Sequence, residues 1–331
     1  MSRKNVRWCD DETQAKYVNG KVYIVTGANS GVGLETTRQL VKQGGHVVMA
    51  CRRVEAGEEE ARSFAGLKGS YEVMKMDLTH LQSVRDFVDA FLKRHDRLDG
   101  LMCNAGLVVM GNKARYTQDG LEETIAVSFF GHFLLTELLL DVITKSTPSR
   151  IGMVSSVVHA GSPANRPQVH LDDLNYKNRK YNAFAAYAEA KVASVLYAME
   201  LGERLKETGV TTASIHPGWA RSNFGGNGLL MKALRVLTFP FRPFLTDSNE
   251  ESAQTSLHIL LSDDAPNHSG AYFSQSSVLY RDKNCRDGGW PMESPNPNAK
   301  DMETAKKLIA MSCEIVGLKQ PQNGIRRDIA I

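Results

Sequence analysis

Tyr187 and Lys191 stand four residues apart in Tyr187-Ala-Glu-Ala-Lys191. On a helix this spacing puts both side chains on one face. A free phenol titrates near pH ~10, too high for ready proton exchange at neutrality. An ammonium beside it favours the phenolate and lowers that value, giving a general acid and base. Val154-Ser155-Ser156 ends an apolar run with two hydroxyls, either of which could hold a substrate oxygen. Near the start of the chain, Thr26-Gly27-Ala28-Asn29-Ser30-Gly31-Val32-Gly33 leaves an apolar run and opens a helical pattern. Gly27 permits a tight turn, Gly31 lets backbone approach a pyrophosphate, and Gly33 packs helix on strand, with the helix N-terminus facing the anion. Taken singly, a Tyr-x-x-x-Lys pair is common on amphipathic helices, and Ser-Ser ends many strands.

The elements that must position these residues follow from apolar periodicity. Lys21 to Gly27, His46 to Cys51, Tyr71 to Met76, Leu98 to Asn104, Arg150 to Ser155 and Val210 to His216 read as short buried strands. Helical patterns lie between them at Leu34 to Gln43, Glu55 to Phe64, Ser83 to Lys93, Leu121 to Ile143 and Ala183 to Leu205. Short apolar strands alternating with helices imply βαβ crossovers. The expected fold is therefore α/β: a single-domain, doubly wound Rossmann fold, with a parallel sheet and helices on both faces. Residues 1–20 are polar and aperiodic and read as an arm, residues 21–318 as the domain, and 319–331 as a tail.

Composition narrows the class. Of 331 residues, 42% are hydrophobic and 23% charged, enough apolar material for a large core. Lys plus Arg number 40 against 37 acids, a net charge of +3 that gives no electrostatic case for nucleic acid. Cys9, Cys51, Cys103, Cys285 and Cys313 are odd in number and not at metal-ligand spacing. No metal site or disulfide framework is expected from them, and a reducing compartment fits. The first residues lack the apolar core of a signal peptide, and no long uncharged apolar stretch suggests a membrane span, so the expected location is cytoplasmic.

In this order the motifs resemble those of the short-chain dehydrogenase/reductases, over about residues 20 to 275. The glycine loop is similar to that family's fingerprint, and Asp77-Leu78 to its adenine-contacting pair. Asn104-Ala105-Gly106 is similar to the end of its Asn-Asn-Ala-Gly element, with Cys103 in place of the first Asn. Ser156 aligns with its catalytic serine and Tyr187 and Lys191 with its catalytic pair, with Ser155 the alternative serine; Pro217-Gly218 aligns with the turn beside the nicotinamide. Met49-Ala-Cys-Arg52, Gly131-His-Phe-Leu-Leu-Thr136 and a long insert between Ser156 and Tyr187 look like the retinol-dehydrogenase-like branch. Protochlorophyllide reductases are also similar, but their Cys after Pro-Gly is Trp219 here.

The resemblance implies a carbonyl–alcohol oxidoreductase with a small lipophilic substrate such as a retinoid, steroid or other apolar aldehyde or ketone. A nucleotide-binding protein of the same fold with weak or no catalysis is the other reading. The implied cofactor contacts are Gly27, Asn29, Ser30, Gly31, Val32, Gly33, Arg52, Asp77, Leu78, Asn104, Ala105, Gly106, Tyr187, Lys191, Pro217, Gly218 and Ser222. After the second strand no carboxylate stands where it would bind ribose hydroxyls; Arg52 instead offers a planar cationic fork for a 2′-phosphate, which favours NADP(H) over NAD(H). The family often has Asn where this chain has Ser128. That Asn is thought to anchor a water linked to the lysine, so Ser128 puts the proton relay in question. His132 reads as a satisfied core histidine, while His159 and His170 lie in the insert near the expected substrate mouth. The stretch at about 222–246 is rich in Leu, Phe and Met, with Lys232, Arg235 and Arg242 interspersed. It reads as a lid for an apolar ligand, suits a shallow membrane contact, or packs on its own domain or a second subunit.

Overall fold

The structure is a computed structural model and describes residues 5–220 and 246–320. One eight-stranded sheet has the order β3-β2-β1-β4-β5-β6-β7-β8. Its strands are β1 Val22–Thr26, β2 His46–Cys51, β3 Ser70–Lys75, β4 Gly100–Cys103, β5 Ser149–Val154, β6 Val210–His216, β7 Tyr272–Ser274 and β8 Gly289–Met292. All neighbours pair in parallel except β8, which runs antiparallel to β7. This edge strand departs from the expected all-parallel sheet. Its Gly-Trp-Pro-Met text hides it, because proline cannot donate to a ladder and is tolerated only at edges.

Successive strand residues point to opposite faces, so each strand supplies two cores. Ile24, Val48, Leu101 and Ile151 face one side. There they meet α4 Leu81–Leu92, α5 Glu123–Lys145, α6 Ala183–Arg204 and a C-terminal α8 Met302–Ile315. Tyr23, Val25, Val47 and Met49 face the other side, under α2 Gly31–Lys42, α3 Val54–Ala61 and α7 Asn249–Leu261. Helices on both faces explain why the strands read as continuous apolar runs rather than as alternating patterns.

Three features were not foreseen. Residues 5–20 lie on the body: Cys9 is buried, its thiol reaches the Gln254 carbonyl at 3.2 Å, and a short α1 Asp11–Ala15 follows. The elements after His216 were not assigned, although Ser248 and Glu251 form a complete capping box that starts α7. The helix expected at Leu121 to Ile143 contains a π-helical turn, Ala126–Phe130, with Ser128 at its middle. By length and composition α5 could cross a membrane, yet 89% of its most apolar window is buried inside the fold, as in a core helix.

A buried charge cluster ties α5 to α6. Arg204 reaches both carboxylate oxygens of Glu137 at 2.5 and 3.2 Å, and the Tyr197 hydroxyl donates to Glu137 at 2.8 Å. Both ionic side chains are almost fully enclosed. Removing one partner strands the other charge, at a cost of roughly 3 kcal/mol or more. Glu137→Ala should lower unfolding stability by that amount in urea titration, and a loss below about 1 kcal/mol would contradict the assignment.

Candidate active site

The chain runs outward through β1, β2 and β3, then crosses back to place β4 against β1. Ligands in open α/β sheets sit beyond the carboxyl ends of the strands, at such a switch point. All the described motif residues converge on that edge: the glycine loop after β1, Arg52 after β2, Asp77 after β3, Asn104 after β4, Ser156 after β5 and Pro217 after β6. Ser222 and most of the lid at about 222–246 lie outside the described residues.

Two glycines are dictated by geometry. Gly27 has φ 63°, and a Cβ on Gly33 would lie 2.6 Å from the Gly27 carbonyl and 2.5 Å from Asn104 Nδ2. The first turn of α2 therefore abuts the loop. Its N-cap, Ser30, makes no side-chain capping bond, which leaves N–H groups for an anion. The Cys51 thiol accepts backbone hydrogen bonds from Ala28 and Asn29, and burial pushes its pKa up to about 11, so it stays a neutral brace under the loop. Asp77 is held by Thr79, whose N–H and hydroxyl donate to Oδ1 at 2.9 and 2.7 Å. Arg52 and Arg53 are exposed at the β2 end.

Thr26 opens the glycine-loop motif, but the sequence alone assigned it no role. Its hydroxyl accepts N–H bonds from Asn104 and Ala105, both at 2.9 Å, while Asn104 Nδ2 donates to the Thr26 carbonyl. With its acceptor capacity used, the hydroxyl proton goes to His132 Nε2, 2.8 Å away. His132 must then carry its proton on Nδ1, which donates to the Ser128 carbonyl. Burial and the nearby Lys191 charge push His132 down to about 3, so it stays neutral. His132 is thus a satisfied core histidine, and one that joins the glycine loop to the π turn.

The two serines separate cleanly. Ser155 is buried and its hydroxyl donates to the Lys191 carbonyl at 2.9 Å, which commits it to α6. Ser156 is half-buried, and its hydroxyl bonds the Tyr187 phenol. Lys191 is 2% exposed; its ammonium donates to the Val154 carbonyl at 2.6 Å and lies 5.4 Å from the Tyr187 ring centre. Burial pushes Lys191 down to about 8 and Tyr187 well above the usual phenol range, opposed at Tyr187 by the Ser156 hydroxyl. The expected lowering of the phenol by Lys191 is therefore not what these side chains produce alone, because desolvation outweighs it.

Ser128 is buried, and among the described residues its hydroxyl has no hydrogen-bond partner. The space it shares with Cys103, His132, Met153 and Ser194 is too narrow for a water-sized sphere. A relay water needs two to four partners and room to sit, and this space gives Ser128 the surroundings of a packing residue. Cys103 is buried beneath the site, its thiol pushed up to about 12 by desolvation.

His159 does not line a mouth. It is fully buried, donates through Nδ1 to the Ser156 carbonyl at 2.6 Å and meets the Ser294 hydroxyl at 2.9 Å. It fixes the Ser156 backbone from behind. Within the insert, Arg179 and the Tyr176 hydroxyl bind Glu189, two residues beyond Tyr187, and so tie the insert to α6. His170 reaches the same carboxylate at 4.0 Å.

A family model described as short chain dehydrogenase matches residues 21–166. Human retinol dehydrogenase 13 is 37% identical over 308 residues, covering 92% of this chain and 87% of that protein. Bovine retinol dehydrogenase 12 is 39% identical, covering 91% and 87%. A crystal structure of an uncharacterized protein from Mycobacterium Paratuberculosis superposes with TM-score 0.70 at 28% identity, covering 93% and 97%. The Pseudomonas aeruginosa RhlG/NADP complex gives TM-score 0.62 at 19% identity over 81% and 98%, a likeness of fold.

The two buried histidines set a pH dependence. His132 is held down to about 3 and His159 to about 4, below the ordinary 6.5. Between those values the unfolded chain takes protons that the folded state refuses, so stability is retained above pH ~6.5 and falls as pH drops. Each group contributes about 1.4 kcal/mol per pH unit. Denaturant titrations from pH 6.5 to 4.5 should show this slope, and His159→Gln should reduce it by about one group's share. An unaltered slope in that variant would refute the assignment.

Proposed function

The chain belongs to the short-chain dehydrogenase/reductase family, in its retinol-dehydrogenase-like branch, and from that premise we propose that it is an NADP(H)-dependent oxidoreductase interconverting a carbonyl and an alcohol on a lipophilic substrate. The observation that carries this reading is the Ser156–Tyr187 hydroxyl pair set over a buried Lys191 at the edge that holds the glycine loop. The loop fits a dinucleotide: the approach at Gly27 and Gly33 leaves no room for side chains, and the α2 N-terminus has no side-chain cap. Arg52, exposed at the β2 end where the family's NAD enzymes place a carboxylate, favours the 2′-phosphate form. The relatives named retinol dehydrogenase support an apolar substrate.

When bound, the nicotinamide gives or takes a hydride at the reacting carbon. The remaining work falls to this chain. Ser156 holds the substrate oxygen and shares its hydrogen bond with Tyr187. In reduction Tyr187 delivers its proton as charge builds on that oxygen; in oxidation it removes the proton. Lys191, with its pKa near 8, keeps most of its charge at neutrality and stabilises the phenolate left behind. Burial raises the phenol, which keeps Tyr187 protonated and ready to donate in reduction; for oxidation, a bound oxidised nicotinamide would add a positive charge that favours the phenolate. Ser155 and His159 position the strand end and do not touch the reacting atoms.

Tyr187→Phe should cut turnover of a retinal, steroid-ketone or aliphatic-aldehyde panel by about 100-fold or more while NADPH binding, read by fluorescence, changes little. Retention of more than a few per cent of the rate would overturn the acid assignment. Arg52→Ala should raise the KM for NADPH by about tenfold or more, since it removes charge-assisted bonds, and leave NADH nearly unchanged. Equal use of the two cofactors by the unsubstituted protein would exclude the NADP(H) preference.

A further inference from the structure

The amino-terminal half of the β2–β3 edge, away from the glycine loop, carries a second cluster of chemistry-bearing side chains. His46 opens β2, Glu72 lies in β3, and His95 follows α4. The β2–β3 register pairs His46 with Ser70 and Val48 with Glu72, so His46 and Glu72 emerge on one sheet face, the face covered by α4. The His95 ring stacks on Phe91 of α4 with ring centres 4.8 Å apart, which turns its Nε2 toward the same point. One ligand atom from each residue falls within 4.8 Å of the other two. Glu72 Oε1 is the common neighbour, 2.5 Å from His95 Nε2 and 3.6 Å from His46 Nε2.

We propose that His46 Nε2, His95 Nε2 and Glu72 Oε1 form a binding site for a divalent transition-metal ion, zinc above others, remote from the catalytic edge. Two imidazoles and one carboxylate suit zinc, which takes such three-residue sets with water as a fourth ligand. Ligand atoms about 2.0–2.2 Å from a tetrahedral ion stand about 3.3–3.6 Å apart. The His46–Glu72 pair already has that spacing. The His95–Glu72 contact must open by about 1 Å as a metal bond replaces the hydrogen bond.

Two further observations favour a ligand set over a simple ion pair. His46 Nε2 is enclosed and approaches Glu72 Oε1 only at 3.6 Å, beyond a normal hydrogen bond, whereas its Nδ1 is held by the Ser70 hydroxyl at 2.7 Å. An outer hydroxyl that orients the imidazole while the inner nitrogen is left over is the arrangement of an oriented metal ligand. Arg94 takes the other carboxylate oxygen at 2.9 Å, leaving Oε1 as the one donor directed inward. The three side chains remain 16 to 27% exposed, so an ion has a way in. From His46 to the β2 end is about 17 Å of strand, so the ion would brace the β2–β3 edge and the α4 end rather than join the chemistry.

The test uses the tag-free full chain. Calorimetric titration with zinc chloride should give one ion per chain, and magnesium chloride should give none, because oxygen-preferring magnesium gains little from imidazoles. His46→Gln and His95→Gln should each weaken zinc binding by about 100-fold, and Ser70→Ala by about tenfold, while NADPH turnover is kept. No zinc binding by the unsubstituted chain, or binding unchanged from it in either histidine variant, would overturn the site. If the variants fail to fold, the unsubstituted chain loaded with cobalt decides. Visible bands of a four- or five-coordinate nitrogen–oxygen site support it, whereas thiolate charge-transfer bands would place the ion at Cys285, the cysteine that is not buried, and refute it.

Discussion

The Thr26 hydroxyl is the contact through which the cofactor edge is organised. A single oxygen at the end of β1 accepts from the first two N–H groups beyond β4 and passes its proton to a histidine on α5. The two strands flanking the topological switch point are thereby locked in one relative position at the place where a ligand would lie. The direction of each hydrogen bond follows from counting: a hydroxyl has one proton and two lone pairs, and both lone pairs are in use. His132 has to be neutral for this to hold, and burial beside the Lys191 charge makes it so. The electrostatics of the lysine and the geometry of the glycine loop are thus coupled through one imidazole.

Polar groups close to the reacting positions divide into those that face the site and those consumed in holding it. Ser155 and Ser156 are adjacent and chemically identical, yet the extended backbone turns them to opposite sides. One is committed to a carbonyl of α6, the other to the phenol of Tyr187. His159 lies behind Ser156 and fixes its carbonyl, and Ser294, from the region after β8, fixes His159. A residue nearly 140 positions away therefore steadies the strand end that presents Ser156.

Desolvation is the leading cause of the shifts in and beneath the site. It raises Tyr187, lowers Lys191, His132 and His159, and raises Cys51 and Cys103. An enclosed phenol resists ionisation until a positive charge arrives near it. The raised phenol of Tyr187 is accordingly a property of its buried setting and not of the Tyr-x-x-x-Lys spacing.

Much of this was legible in the chain. The strands from β1 to β6 and the helices between them follow from apolar runs and periodicity, which local backbone sterics and solvent exclusion make local properties. The glycine loop, Ser156, Tyr187 and Lys191 are legible for the same reason: each motif is a short segment whose spacing is set by one turn or one helix face. What the tertiary structure decided involves partners far apart in sequence. β8 is set by pairing with β7, against the local preference of its proline. The separate commitments of Ser155 and Ser156 depend on α6, and the role of Thr26 on β4 and α5 together. The cramped setting of Ser128 arises from a π turn whose extra residue no periodicity displays. His46, Glu72 and His95 span 50 positions at irregular intervals. No spacing rule joins them, because two strands and a helix end bring the three side chains together only once the sheet and α4 have packed.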